Sequence, residues 1–160
     1  MIRGGFRRAM TNVLFVCNAN IVRSFMAERI FNGRLERLSL PGVSASSAGL
    51  LDMNGAPADT TARRILAEHG INDEGHVSRL LTEQILQEAD LVLTMEMSQL
   101  QKIETQYPEF AGGLKLLKSY LPDYDIHQGD IADPYRRSLF HYRLCFAEIS
   151  LSVEAMIKCI

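Results

Sequence analysis

Short apolar runs alternate along the chain with longer segments of helical periodicity. Residues 12–17 (NVLFVC) and 90–95 (DLVLTM) are brief and aliphatic, which predicts buried strands. Residues 43–49 are a weaker, serine-rich strand candidate, and residues 114–121 are ambiguous between strand and helix. Strands that alternate with helices predict an α/β fold, in which helices cover both faces of a parallel sheet.

The helical segments carry apolar residues on one face. In residues 24–38 these are Met26, Ile30, Phe31, Leu35 and Leu38. Residues 57–69 predict a helix with Pro57 in the first turn, Gly70 as its stop and an inner face of Ala62, Ile65, Leu66 and His69. Further helices are predicted over 82–89, over 97–107 and from His141 to the end, the last with a stripe of Ile149, Val153, Met156, Ile157 and Ile160.

Composition is that of one ordinary globular domain. The chain has 160 residues, of which 47% are hydrophobic and 22% charged. We expect residues 1–11 to form a flexible extension and residues 12–160 the domain. The net charge of −2 favours no nucleic-acid partner. No apolar run approaches the roughly 18 residues that span a bilayer, so no membrane association is expected.

Cysteine usage points to a reducing compartment. The three cysteines, Cys17, Cys145 and Cys159, are odd in number and widely spaced, which is a poor disulfide framework. No CxxC pair or Cys/His cluster suggests a metal site. The sequence therefore predicts a cytoplasmic protein without a metal.

The segment from Cys17 to Ser24 carries candidate chemistry. It joins a predicted buried strand to a predicted helix, and ligands of open α/β sheets bind beyond the carboxyl ends of strands. Five residues between Cys17 and Arg23 suffice for a nest of backbone N–H groups that holds an anion. The helix N-terminus and a bidentate Arg23 guanidinium add positive charge. Asn20 tolerates the left-handed backbone that such a nest requires.

Neither this segment nor its candidate acid is decisive alone. An arginine follows any cysteine by six residues in roughly one case in twenty at average composition, and an inert buried cysteine is common at a strand end. Release of an ester oxygen requires a general acid. Asp133, held extended by Pro134, is the candidate, although Asp-Pro is more often a simple turn.

Together these residues resemble the low-molecular-weight protein tyrosine phosphatases. That family opens with a strand and a Cys-x-x-x-x-x-Arg-Ser loop and carries a late Asp-Pro-Tyr, here Asp133-Pro134-Tyr135. The likeness runs in order over about residues 12–157, with landmarks at Met26-Ala27-Glu28, Ser47-Ala48-Gly49, Gly70-Ile71, Ser78-Arg79-Leu80-Leu81 and Asp90-Leu91-Val92-Leu93. It implies a single-domain, three-layer αβα fold around a four-stranded parallel twisted sheet.

The resemblance also implies a mechanism without a cofactor. Cys17 would form a phosphocysteine, Asp133 would act as acid and then as base, and Arg23 would clamp the phosphate with the loop Asn18, Ala19, Asn20, Ile21, Val22 and Ser24. Asn20, Ser24, Ser47 and His76 align with the family's supporting hydrogen-bond network. His76 by itself would more often be a surface or capping residue.

Substrate choice would rest on Ile21, Met53 and Tyr135 as pocket walls. Ile21 resembles the tyrosine-specific branch, whereas related phosphoarginine phosphatases tend to have threonine there. A role in simple packing explains Ile21 and Met53 about as well as a role in the substrate pocket does. Tyr135 is suited to stacking on a phenyl ring.

The loop departs from the family at three positions. Ala19 replaces the usual glycine. The added Cβ of alanine is harmless if φ at this position is negative and costly if φ is positive. Val22 stands where a second cysteine is common, and Phe25 replaces proline after Arg-Ser.

Two other functions are weighed against the phosphatase. An arsenate reductase shares this fold and loop, but that chemistry needs further cysteines, and residues 77–100 contain none. A catalytically weak phosphate-binding module is the other, and the presence of Cys17, Arg23 and Asp133 disfavours it. The expected partner is a phosphotyrosine protein, such as an autophosphorylating bacterial tyrosine kinase, and the expected state is a monomer.

Overall fold

Four parallel strands form one sheet in the computed structural model, which describes residues 11–160. The strands are β1 (Thr11–Cys17), β2 (Val43–Gly49), β3 (Leu91–Thr94) and β4 (Gly113–Leu116). Their spatial order is β2-β1-β3-β4. The central strand β1 pairs with β2 from Thr11↔Val43 to Cys17↔Gly49, and with β3 from Val13↔Leu91 to Val16↔Thr94. The predicted four-stranded parallel sheet is confirmed.

Helices cover both faces of the sheet. They are α1 (Arg23–Leu38), α2 (Thr60–Glu68), α3 (Glu83–Gln87), α4 (Met97–Gln106) and α5 (Leu139–Ile157), with 3-10 turns at Leu117–Tyr120 and Ile126–Gln128. Because side chains alternate along a strand, β1 feeds two cores. Val13 and Phe15 pack in the core that α1, α2 and α5 share, whereas Leu14 and Val16 pack with residues of α3 and α4. The predicted three-layer architecture is confirmed.

The second helix begins later than predicted. It starts at Thr60 because the side chain of Asp59 accepts a hydrogen bond from the Ala62 N–H at 3.0 Å and so caps the helix. Pro57 lies outside the helix and forms an isolated antiparallel bridge with Val77. The predicted start at Pro57 was therefore wrong.

Other boundaries shift by a few residues. The ambiguous segment 114–121 splits into β4 and a 3-10 turn. The last helix begins at Leu139 rather than His141, and Ile160 lies beyond its end, exposed, so it does not belong to the inner stripe. Thr11, assigned by the sequence to the extension, is the first residue of β1, and the rest of that predicted extension lies outside the described residues. No helix among residues 11–160 combines the length and apolar character needed to cross a bilayer.

Candidate active site

The loop between β1 and α1 is tied to the chain that follows β2. Cys17 ends β1 and Arg23 begins α1, so residues 18–22 form the connection. The N–H of Leu50 donates to the Cys17 C=O at 3.0 Å, and the N–H of Leu51 donates to the Asn18 C=O at 2.9 Å. A Cβ on Gly49 would lie 2.8 Å from the Asn18 oxygen, so only glycine permits this close approach.

The sulfur of Cys17 is buried among hydrogen-bond donors. Its Sγ lies 3.0 Å from Ser24 Oγ and accepts from the Asn20 N–H at 3.3 Å. Both contacts come from the loop itself or from the first turn of α1. They fix the position of the sulfur and supply donors suited to a negatively charged nucleophile.

Asn20 organises the loop from its centre. Its φ is 57°, in the left-handed region, and its side chain is buried. Its Nδ2 donates to Ser24 Oγ at 2.8 Å and to Ser47 Oγ at 2.9 Å, while its Oδ1 accepts from the Arg79 N–H at 3.1 Å. His76 Nε2 donates to the Asn20 C=O at 2.7 Å. The structure thus brings Asn20, Ser24, Ser47 and His76 into one network.

His76 enters this network as a neutral donor. Burial lowers the pKa of His76, although the hydrogen bond to Asn20 opposes that shift. A neutral imidazole has one N–H, and the contact with a carbonyl oxygen places it on Nε2. The ring also stacks on Phe25, with the two centroids 4.6 Å apart.

We expect Asn20→Ala to weaken both the loop and the fold. The change leaves the buried Ser24 and Ser47 hydroxyls and the Arg79 N–H without their Asn20 partner and puts alanine at a positive φ, which should cost about 1–3 kcal/mol of stability and lower kcat. Asn54→Ala is the matched control, since Asn54 also has positive φ (51°) but is exposed. Urea unfolding and kcat on para-nitrophenyl phosphate measure the two effects. Equal kcat losses in both variants would show that only the backbone matters.

Arg23 is a buried cation held by several partners. Its Nη1 donates to a Glu96 carboxylate oxygen and, at 2.9 Å, to the Ile131 C=O. Its Nη2 lies 3.5 Å from Asp133 Oδ2. Burial by itself would lower the pKa of Arg23, but the negative charges of Cys17, Asp133 and Glu96 outweigh it and raise that pKa. Arg23 is therefore a fixed positive charge beside the nucleophile.

Glu96 and Gln99 take part in the site although the sequence analysis did not name them, and Arg79, noted there only within a family landmark, contacts Asn20. Gln99 Oε1 accepts from the Met95 and Glu96 N–H groups, and its Nε2 donates to Asn18 Oδ1 at 3.3 Å. Glu96 and Gln99 lie just after the carboxyl end of β3, at the same sheet edge as Cys17. That position, together with the Glu-x-x-Gln capping pattern at the start of α4, was a usable signal.

Asp133 projects over Arg23 from a turn after Ile131. The Ile131 N–H donates to the Met95 C=O at 2.8 Å, which docks this segment on the end of β3. Asp133 has a side chain 46% exposed, and its Oδ1 accepts from the Tyr135 N–H at 3.1 Å. The Tyr135 ring is exposed, with the Arg136 guanidinium 5.3 Å from its centroid. The Asp133 carboxyl group thus lies beside Arg23, and the role of Tyr135 as a pocket wall stays a prediction.

The three departures from the family pattern fit the fold. Ala19 is not among the described residues with positive φ, so its Cβ carries no left-handed strain. Val22 and Phe25 are both buried in the core that α1 shares with α2 and α5. The loop therefore keeps its shape with these residues.

The remaining pocket candidates are less defined. Ile21 is partly buried and packs against the core, and its C=O accepts from the Asp59 N–H at 3.0 Å. Met53 lies two residues beyond Leu51, in the loop after β2, and its role in the pocket stays a prediction. Between Thr11 and Ile160, no three His, Cys, Asp or Glu side chains cluster so as to hold a metal ion.

Comparison with known proteins places this geometry in a family. The family of low molecular weight phosphotyrosine protein phosphatases matches residues 12–160. The chain is 37% identical over 145 residues to the probable low molecular weight protein-tyrosine-phosphatase EpsP of Ralstonia nicotianae, covering 91% of this chain and 92% of that protein.

Solved structures agree. The low molecular weight protein tyrosine phosphatase of T. tengcongensis aligns with a TM-score of 0.86 at 36% identity, over 94% of this chain and 99% of that one. The YwlE arginine phosphatase of Geobacillus stearothermophilus aligns with a TM-score of 0.82 at 31% identity, over 93% and 92% of the two chains. The chain belongs to the low molecular weight phosphotyrosine protein phosphatases.

Proposed function

We propose that this phosphatase hydrolyses phosphotyrosine through a phosphocysteine formed on Cys17. The observation that carries the proposal is the buried Arg23, which follows the Cys17 loop and whose Nη2 lies 3.5 Å from Asp133 Oδ2. Nη1 of Arg23 already donates to Glu96 and Ile131. The other two nitrogen atoms of the Arg23 guanidinium, Nε and Nη2, can each donate a hydrogen bond to one phosphate oxygen.

The reaction proceeds in two displacements. The Cys17 thiolate attacks phosphorus, the bond from phosphorus to the tyrosine oxygen breaks, and Asp133 gives its proton to that oxygen. Asp133, now a carboxylate, takes a proton from water, whose oxygen attacks phosphorus and breaks the S–P bond. Inorganic phosphate leaves and the thiolate is restored. Arg23 and the loop N–H groups stabilise the negative charge in both steps.

Asp133→Asn tests the acid step. We expect the variant to hydrolyse phenyl phosphate about 10²–10⁴-fold more slowly, because asparagine has no proton to give. The loss should be smaller on para-nitrophenyl phosphate, since 4-nitrophenolate leaves without protonation. Asp123→Asn, at an exposed position, is the control. Equal losses on both substrates would remove Asp133 from the role of acid.

The same assay on phosphoarginine tests the substrate class. Ile21 offers an apolar side chain and Tyr135 an aromatic ring, which suit a phenyl group better than a guanidinium. Phosphotyrosine should therefore have the higher kcat/KM. A preference for phosphoarginine would place the chain with the arginine phosphatases that share its fold.

The physiological substrate that we propose is a phosphotyrosine of an autophosphorylating bacterial tyrosine kinase, and the site of action is the cytoplasm. The similarity to EpsP supports a bacterial tyrosine phosphatase. The cytoplasm is consistent with a nucleophile that must stay reduced, as the free Cys17 is here.

A further inference from the structure

The candidate acid stands on a tight turn of residues 133–137, which we call the acid turn. The Arg137 N–H donates to the Pro134 C=O at 2.8 Å and closes the turn. The Tyr135 N–H donates to Asp133 Oδ1 at 3.1 Å and ties the carboxyl group to the same backbone. The direction in which this carboxyl group points therefore depends on the conformation of the acid turn.

Arg136 gives the acid turn an unusual backbone. It is the third residue of the four that the hydrogen bond closes, and its φ is 62°, in the left-handed region. Glycine usually stands at such a position, because a side chain makes positive φ unfavourable by roughly 1–2 kcal/mol. A contact from outside the turn can offset that cost.

The hydroxyl group of Tyr142 supplies such a contact. Tyr142 is a buried residue of α5, and the backbone N–H of Arg136 interacts with its hydroxyl oxygen. The hydroxyl itself donates to Asp59 Oδ2 at 3.1 Å. Burial and the Asp59 carboxylate raise the pKa of Tyr142, so the hydroxyl keeps its proton at neutral pH and remains a donor.

Asp59 continues the connection to the catalytic loop. Its N–H donates to the Ile21 C=O at 3.0 Å, and its Oδ1 accepts from the Ala62 N–H at 3.0 Å. One carboxylate oxygen of Asp59 thus caps α2, the other accepts from Tyr142, and the backbone holds the catalytic loop. Tyr142 and Asp59 therefore join the acid turn to the catalytic loop by a route that does not include Arg23.

We propose that Tyr142 is a positioning residue, whose hydroxyl group holds the acid turn so that Asp133 faces the leaving oxygen of the substrate. The proposal rests on the proposed function and adds to it a residue outside both the catalytic loop and the acid turn. Tyr142 acts on the reaction through the backbone of Arg136. Its effect is therefore largest where the leaving group needs the proton of Asp133.

Tyr142→Phe tests the proposal, because it removes the hydroxyl and keeps the ring. We expect kcat/KM for phenyl phosphate, which covers the steps up to release of phenol, to fall about tenfold, since displacing a catalytic group by about 1 Å can cost about 10²-fold. For para-nitrophenyl phosphate, whose leaving group needs no proton, kcat/KM should change less than about twofold. The ratio of the two values does not depend on how much of the variant is folded.

Tyr120→Phe is the matched control. Tyr120 is a partly buried tyrosine that interacts with Cys159, beyond the other end of α5. Its loss of a hydroxyl should leave the ratio of the two kcat/KM values at that of the wild type.

The double variant Tyr142→Phe/Asp133→Asn shows whether Tyr142 acts through the acid. If it does, the double variant loses no more kcat/KM for phenyl phosphate than Asp133→Asn alone. Additive losses in the double variant, equal losses on both substrates in Tyr142→Phe, or no loss on either would refute the positioning role. Equal losses on both substrates in Asp133→Asn would instead contradict the proposed function, so the two failures are distinguishable.

Discussion

Cys17→Ser should reduce turnover of para-nitrophenyl phosphate to the background rate, a loss of roughly 10⁴-fold or more by comparison with other nucleophile deletions. Serine occupies nearly the same space, but its hydroxyl is a much weaker nucleophile than a thiolate at neutral pH. The donors that surround the sulfur, the Asn20 N–H and Ser24, remain in place. Phosphate binding, followed by its effect on Tm, should therefore persist.

Cys159→Ser is the control for that experiment, because Cys159 is an exposed thiol two residues beyond the end of α5. Cys145 is a less suitable control, since it is buried, and burial raises its pKa to about 12. A thiol with that pKa does not ionise at neutral pH, so Cys145 does not replace the nucleophile. Substantial turnover by Cys17→Ser would contradict a phosphocysteine intermediate.

Arg23→Lys should lower kcat about 10²–10³-fold, the usual cost of losing a positioned donor in the transition state. Lysine keeps the positive charge between Glu96 and Asp133, so the fold should survive. It has no planar fork, however, and a single ammonium does not bond Glu96, Ile131 and two phosphate oxygens at once. The variant therefore keeps the positive charge at this position and removes only the planar geometry of the guanidinium.

Arg63→Lys makes the same change at a structural ion pair, since Arg63 Nε contacts Asp73 Oδ2 at 3.0 Å away from the catalytic loop. Its kcat should equal that of the wild type. Steady-state kinetics on a phosphotyrosine peptide gives kcat and KM for both variants. If Arg23→Lys kept kcat within a few-fold of the wild type, the positive charge alone would be sufficient to stabilise the transition state.

Much of the fold was predictable because the sequence patterns that specify its strands and helices are local. The apolar run before Cys17 and the turn and helix after it specify strand, loop and helix without help from distant residues. The start of α2 was not predictable from Pro57, because Asp59, two residues later, caps the helix more effectively. Pro57 instead forms an antiparallel bridge with Val77, a tertiary contact that no local pattern around residue 57 specifies.

The site was predictable where one short motif contains it and not where the fold assembles it. Cys17, Asn20 and Arg23 share a single loop, so their proximity follows from spacing. The ion pair of Arg23 with Glu96 joins residues 73 positions apart, and the capping pattern that places Glu96 at the same sheet edge does not specify that contact.

The hydrogen bonds of Asn20 make enzymatic activity a sensor of local unfolding. Two of them reach His76 and Arg79, in a segment between α2 and α3 that has no helix or strand and whose backbone pairs with its neighbours through the isolated bridges Gly49↔Leu80 and Pro57↔Val77. Such segments open at a lower free energy than a sheet core. Partial opening of residues 76–81 would release the loop while β1 and its neighbours stay paired. Inactivation would then precede the loss of secondary structure as denaturant is added.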